Sequence, residues 1–187
     1  MYYHASQTSD LKVLKPNVSN HNKSLVYLSK KRENVLVYLS NAIEKYCNEV
    51  GFEYSGVYHK WASYGFNKDG ILKLQEYYPN ATYDTYKDVS GYIYSTEDVK
   101  GLESKIEIPD VVVCENEVQI SKCEFISDAY TAIMEAVESG KIELVRYEDN
   151  NEEMLKWIEK TIKAEYINAI NQPEYRIFLK GKFDFLK

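Results

Sequence analysis

Tyr2-Tyr3-His4-Ala5-Ser6 and Leu25-Val26-Tyr27-Leu28-Ser29 are the two stretches from which the fold is read. Both are short and rich in aromatic or β-branched residues, the composition of strands. The first carries a histidine and the second a tyrosine. After the second, Ser29 is placed to cap a helix, with Val35, Leu36, Leu39, Ala42, Ile43 and Tyr46 at helical spacing. That helix is expected to reach about Val50 and to stop at Gly51.

Working outward, residues 6–22 read as a polar connection in which Leu11, Val13 and Leu14 pack as a short turn. Runs from Val57 to Phe66 and from Ile71 to Tyr78 flank Asn67-Lys68-Asp69-Gly70, the clearest hairpin signal in the chain. Pro79 ends the second run, and Asn80 is placed to cap a short helix over residues 81–87. Gly91 to Ser95 is a further strand, and residues 96–108 form a polar excursion. Val111–Cys114 and Glu117–Phe125 read as strands. Ser127 or Asp128 caps a helix that Gly140 closes, and Ile142–Tyr147 is a last strand. Asn150 or Asn151 starts a long helix with Met154, Trp157, Ile158, Ile162, Tyr166 and Ile170 along one side. A short helix follows Pro173. This order gives an α+β protein, with a main domain over 1–147 and a C-terminal helical extension over 148–187 packed on the same core.

The chain has 187 residues, 44% of them hydrophobic, which is enough for a proper core. Its formal charge is −6, and its arginines are Arg32, Arg146 and Arg176, so a basic nucleic-acid footprint is missing. Cys47, Cys114 and Cys123 are widely spaced, which argues against a disulfide framework or a zinc site. Cys114 and Cys123 lie in apolar runs and read as buried, inert thiols. With no apolar signal core and no run near a membrane span, a cytoplasmic, reduced setting is the expectation. Eighteen tyrosines suit half-wet grooves, although most are expected simply to face a sheet.

No Gly-rich phosphate loop, G-x-S-x-G elbow or H-E-x-x-H motif is present. The chemistry-bearing residues that remain are His4, Tyr27, Tyr38 and Glu117. Each also has a plain reading: a satisfied strand histidine, two core aromatics and a solvated carboxylate beside Glu115. His21 and His59 have no evident partners and read as surface.

Taken together, the set resembles the His-Tyr-Glu branch of the ADP-ribosyltransferase superfamily, that of diphtheria toxin and the poly-ADP-ribose polymerases. Tyr3-His4-Ala5-Ser6 is similar to its aromatic-His-Gly-Ser/Thr motif, and Val26-Tyr27-Leu28-Ser29 to its strand tyrosine. Tyr38 falls eleven residues after Tyr27, at the spacing of the branch's nicotinamide-stacking tyrosine. Glu115-Asn116-Glu117-Val118 looks like the start of the glutamate-bearing strand. The resemblance covers residues 2–50 and 111–126; the remainder looks closer to small bacterial proteins than to well-studied transferases.

The resemblance implies a split β-sheet core that binds NAD as a substrate and transfers ADP-ribose to a protein or small-molecule acceptor. Glu117 would stabilise an oxocarbenium-like ribose, and His4 would hold a ribose hydroxyl. Backbone at Ala5 would hold the carboxamide, Ser6 would be among the NAD-binding residues, and Tyr27 and Tyr38 would stack on the ring. Glu117→Gln would then abolish cleavage and spare binding. Ala5 in place of glycine, and Val35 where the family often has a serine, depart from the pattern. They keep open a second expectation, a non-catalytic module that retains the fold and uses the tyrosine-rich segment 54–94 as a contact surface.

Overall fold

The computed structural model describes residues 1–18, 23–56, 63–97, 99 and 107–187, together with the backbone of 102–103. His21, His59 and the start of the expected Val57–Phe66 strand lie outside these residues.

The chain opens with β1 (Tyr2–Ser6), β2 (Val13–Leu14), β3 (Asn17–Val18) and β4 (Ser24–Ser29). A 3-10 turn over Glu33–Tyr38 leads to α1 (Ala42–Val50) and the hairpin β5 (Tyr64–Phe66) and β6 (Leu72–Gln75). Then come α2 (Ala81–Tyr86), β7 (Gly91–Thr96), β8 (Leu102–Glu103), β9 (Val111–Cys114), β10 (Val118–Gln119) and β11 (Lys122–Ile126). The last elements are α3 (Ala129–Glu138), β12 (Ile142–Val145), α4 (Glu152–Asn168) and α5 (Pro173–Lys182). The class is α+β, as the element order implied.

The main sheet runs β11-β7-β1-β4-β9-β8, antiparallel throughout, with β3 added beside β4. Its middle is uneven. β1 pairs with β7 over five residues, from Tyr2↔Thr96 to Ser6↔Tyr92, but with β4 only at Tyr3↔Ser29. The sheet therefore parts between β1 and β4 just past that pair. A second sheet, β12-β6-β5, joins the parallel pair β12 and β6 to the hairpin strand β5, and β2 pairs with β10. The hairpin closes as its sequence demands. Gly70 takes φ 71°, and the Asn67 Oδ1 accepts from the amides of Asp69 and Ile71 at 3.0 Å each.

Three apolar clusters form. Val35–Val37, Leu39, Ile93 and Ile133 fill one between the sheets and α3. Leu14, Val26, Leu28, Val112, Cys114 and Val118 fill another on β4, β9 and β10. α4 and α5 pack with α1 and α2 around Ile43, Tyr78, Ile162, Phe178 and Leu179. Each fully buried side chain of this kind contributes roughly 1.5–3 kcal/mol. The C-terminal helices thus pack against α1 and α2, sharing with them a cluster distinct from the one between the sheets and α3.

Several expectations need correction. The single helix from Ser29 to Val50 is two pieces, broken at Leu39–Asn41, where Leu39 has φ −88° and ψ 73°. The break redirects the chain from one core to another: Val35–Leu39 serve the first, and Ala42, Ile43 and Cys47 the one shared with α5. Asn80 makes no side-chain cap bond. The buried Glu76 takes that role, accepting from the Thr82 amide at 2.9 Å. The run from Glu117 to Phe125 divides into β10 and β11, leaving Glu117 outside either strand. Cys123 is exposed rather than buried, because β11 is an edge strand with mostly exposed residues. Asp128 and Asn151 cap α3 and α4 as expected, through the amides of Thr131 and Met154. Among the described residues, no helix is long and apolar enough to cross a membrane.

Candidate functional site

The parting of β1 from β4 creates the site. Past the Tyr3↔Ser29 pair, the His4 ring spans the gap and its Nδ1 lies 3.0 Å from the backbone oxygen of Tyr27. A carbonyl oxygen only accepts, so Nδ1 carries the proton and Nε2 keeps a lone pair when the ring is neutral. Desolvation lowers the His4 pKa below its ordinary 6.5, outweighing the upward pull of the Tyr27 carbonyl. The ring is therefore neutral at pH 7.

Two cavities meet at this contact, and His4 and Tyr27 line both. The first, of about 200 Å³, lies toward the β4 end that carries Ser29. Ala5, Leu28, Val35, Tyr38, Tyr64, Phe66 and Leu72 supply most of its wall. The 3-10 turn brings Val35 and Tyr38 over it, while β5 and β6 bring Tyr64, Phe66 and Leu72 from the second sheet. Drug-sized ligands occupy roughly 300–1,000 Å³, so this space suits a single ring. The second cavity, of about 500 Å³, is lined by more polar groups, among them Ser6, Thr8, Lys15 and Asn17.

Tyr38 is 38% exposed at the mouth of the first cavity, and its ring meets Tyr64 edge to face, with centroids 6.0 Å apart. Burial, reinforced by Tyr38, pushes the Tyr64 phenol far above its ordinary value, so it stays protonated.

Asn34 also lines this cavity, is 5% exposed, and has neither its amide nitrogen nor its amide oxygen hydrogen-bonded. An unmet buried donor or acceptor costs about 1–3 kcal/mol, and native proteins hold few of them.

The structure thus brings together His4, Ala5, Tyr27 and Tyr38 around one cavity and places Ser6 on the adjoining one. It does not bring Glu117 with them. That residue sits exposed just after the bend that follows β9, beyond the end of the strand opposite Val111, and lines neither cavity. Its neighbour Val118 pairs with Leu14, on the rim of the second cavity, while the Glu117 side chain faces solvent. No carboxylate lines the first cavity among the described residues. Asn34, Tyr64 and Phe66 were not singled out in the sequence. Tyr64 and Phe66 sit two apart just before the hairpin turn, the one pattern that marks them as sharing a strand face.

Among the described residues, no cluster of His, Cys, Asp and Glu is arranged to hold a metal ion. A scan against protein-family models, a search of curated proteins and a search of solved structures each returned no match for this chain.

Proposed function

We propose that this chain binds NAD through its nicotinamide ring, in an ADP-ribosyltransferase-like cleft that serves for binding rather than for ADP-ribose transfer. The observation that carries the reading is the convergence of His4, Ala5, Tyr27 and Tyr38, residues drawn from three separated elements, on one ring-sized apolar cavity. A flat neutral ring gains there by burial and by contact with phenol faces. The neutral Nε2 of His4 is an acceptor for a sugar hydroxyl, and the adjoining cavity with Ser6, Thr8 and Lys15 has room for the rest of the dinucleotide.

Binding is favoured over transfer because of Glu117. Stabilising a developing oxocarbenium ion takes a carboxylate fixed beside the anomeric carbon, in a site shielded from water. An exposed side chain outside both cavities supplies neither condition. The partner is then NAD itself, with a protein acceptor called for only by the transferase alternative.

Calorimetric titration with NAD, followed by assay for free nicotinamide, tests the reading. Saturable binding that Tyr38→Ala weakens at least about tenfold, with no nicotinamide released and no effect of Glu117→Gln, is the expected result. Release of nicotinamide that Glu117→Gln abolishes would restore the transferase reading. Absence of NAD binding would overturn both.

A further inference from the structure

We infer that Asn34 is the specificity-determining residue of the first cavity, selecting neutral planar rings that carry a carboxamide or an equivalent adjacent donor and acceptor. The inference rests on that cavity being a ring site, and it deepens that reading by naming the group read on the ring.

Asn34 lies in the 3-10 turn Glu33–Tyr38, where four consecutive residues, Asn34 to Val37, are buried. Val35, Leu36 and Val37 account for their burial by joining the apolar cluster beneath the sheet. Asn34 does not, for its amide is shut away with both polar atoms unmet. Because nitrogen and oxygen are both without partners, the two possible orientations of the amide lead to the same conclusion.

Several polar groups of the wall already have protein partners. The Ser29 hydroxyl accepts from the Lys31 amide at 3.0 Å, His4 Nδ1 is held by Tyr27, and Tyr38 and Tyr64 interact with each other. A ligand amide offers a donor and an acceptor at once, in the spacing a side-chain amide matches, and so complements both unmet atoms of Asn34. A carboxylate offers two acceptors and a charge, leaves the Asn34 oxygen unmet, and must shed its water in an apolar pocket. The site therefore discriminates carboxamide from carboxylate on the same ring.

Benzamide and benzoate are the probes, titrated into the full chain and into Asn34→Leu, with thermal midpoints recorded for both proteins. The native chain is expected to bind benzamide at least about tenfold more tightly than benzoate. Asn34→Leu is expected to lose at least about tenfold in benzamide affinity while its midpoint holds or rises, because two unmet polar atoms are gone. If Asn34→Leu does not fold, Asn34→Ser gives the same comparison through its affinities alone. Equal benzamide affinity in native and variant, equal affinity of native protein for the two probes, or no binding of either would overturn the inference. Asn34-dependent benzamide binding without NAD binding would uphold it and sink the NAD reading. NAD binding untouched by either substitution would do the reverse.

Discussion

His4 Nδ1 donates to the main-chain carbonyl of Tyr27 at 3.0 Å, joining β1 to β4 at the point where their backbone ladder has already ended. One side chain thus bridges the opening in the sheet and sets the tautomer that faces the two cavities.

Burial of the His4 ring makes stability depend on pH. Desolvation holds the folded-state pKa of His4 below the unfolded value of about 6.5, so below that pH the unfolded chain binds more protons than the folded one. Stability is therefore unaffected by this group above about pH 6.5 and falls on acidification below it, by at most about 1.4 kcal/mol per pH unit for a single site. Urea unfolding of native protein and His4→Phe between pH 5 and 8 checks this. The native curve should fall relative to the variant below pH 6.5; parallel curves throughout would contradict it.

A second pH-dependent contribution lies at the start of α3. Burial raises the Asp128 pKa, but bonds from the Thr131 hydroxyl and amide, the Asp88 amide and Lys87 outweigh it and hold the carboxyl well below its ordinary value. Its contribution is present above the ordinary carboxylate range and is lost as pH falls through the folded value. Asp128→Ala should cost about 1–2 kcal/mol at pH 7, with the difference shrinking in strong acid. Chemical unfolding at the two pH values reads both effects.

Glu76 is the most consequential buried charge among the described residues. It is 2% exposed, accepts from the Thr82 and Tyr147 amides at 2.9 and 3.3 Å, and pairs with Arg146 at 3.3 Å. It ties α2 to the segment that follows β12. Glu76→Leu strands these donors and should destabilise by about 3–5 kcal/mol, the cost of breaking a buried pair on one side. A thermal or urea midpoint indistinguishable from native would contradict this role.

Gly91 permits the close approach of β7 to the 3-10 segment. A Cβ there would lie 2.5 Å from Leu39 Cδ2 and 3.1 Å from the Ser6 carbonyl oxygen. Gly91→Ala should destabilise by about 1–3 kcal/mol through overpacking, read as a lowered unfolding midpoint.

What the sequence made legible was local. Asn67-Lys68-Asp69-Gly70 closes its hairpin through its own side chain and a glycine at positive φ, so no distant contact was needed to recognise it. Asp128, Asn151 and Gly51 mark helix ends for the same reason. The break at Leu39–Asn41 was not legible. Apolar residues continue across it at helical spacing, and what interrupts them is the pull of two different cores.

The convergence of residues on the candidate site was legible in part. His4, Tyr27 and Tyr38 meet because strand, strand and turn follow one another closely in the chain. Glu117 stands apart from both cavities because β9 ends at Cys114 and the chain bends before β10, an interruption that the apolar run around it did not announce. Asn34 escaped notice because its distinction is a missing partner, which only three-dimensional packing reveals.

NMR titration of the labelled chain with NAD, following the imidazole of His4 and the rings of Tyr27 and Tyr38, tests binding at the β1–β4 opening most directly. Saturable shifts in all three, with the amide of Glu117 unmoved, are the expected result. Shifts confined to another face of the protein, or no saturable response at these rings, would rule out NAD binding at this cavity.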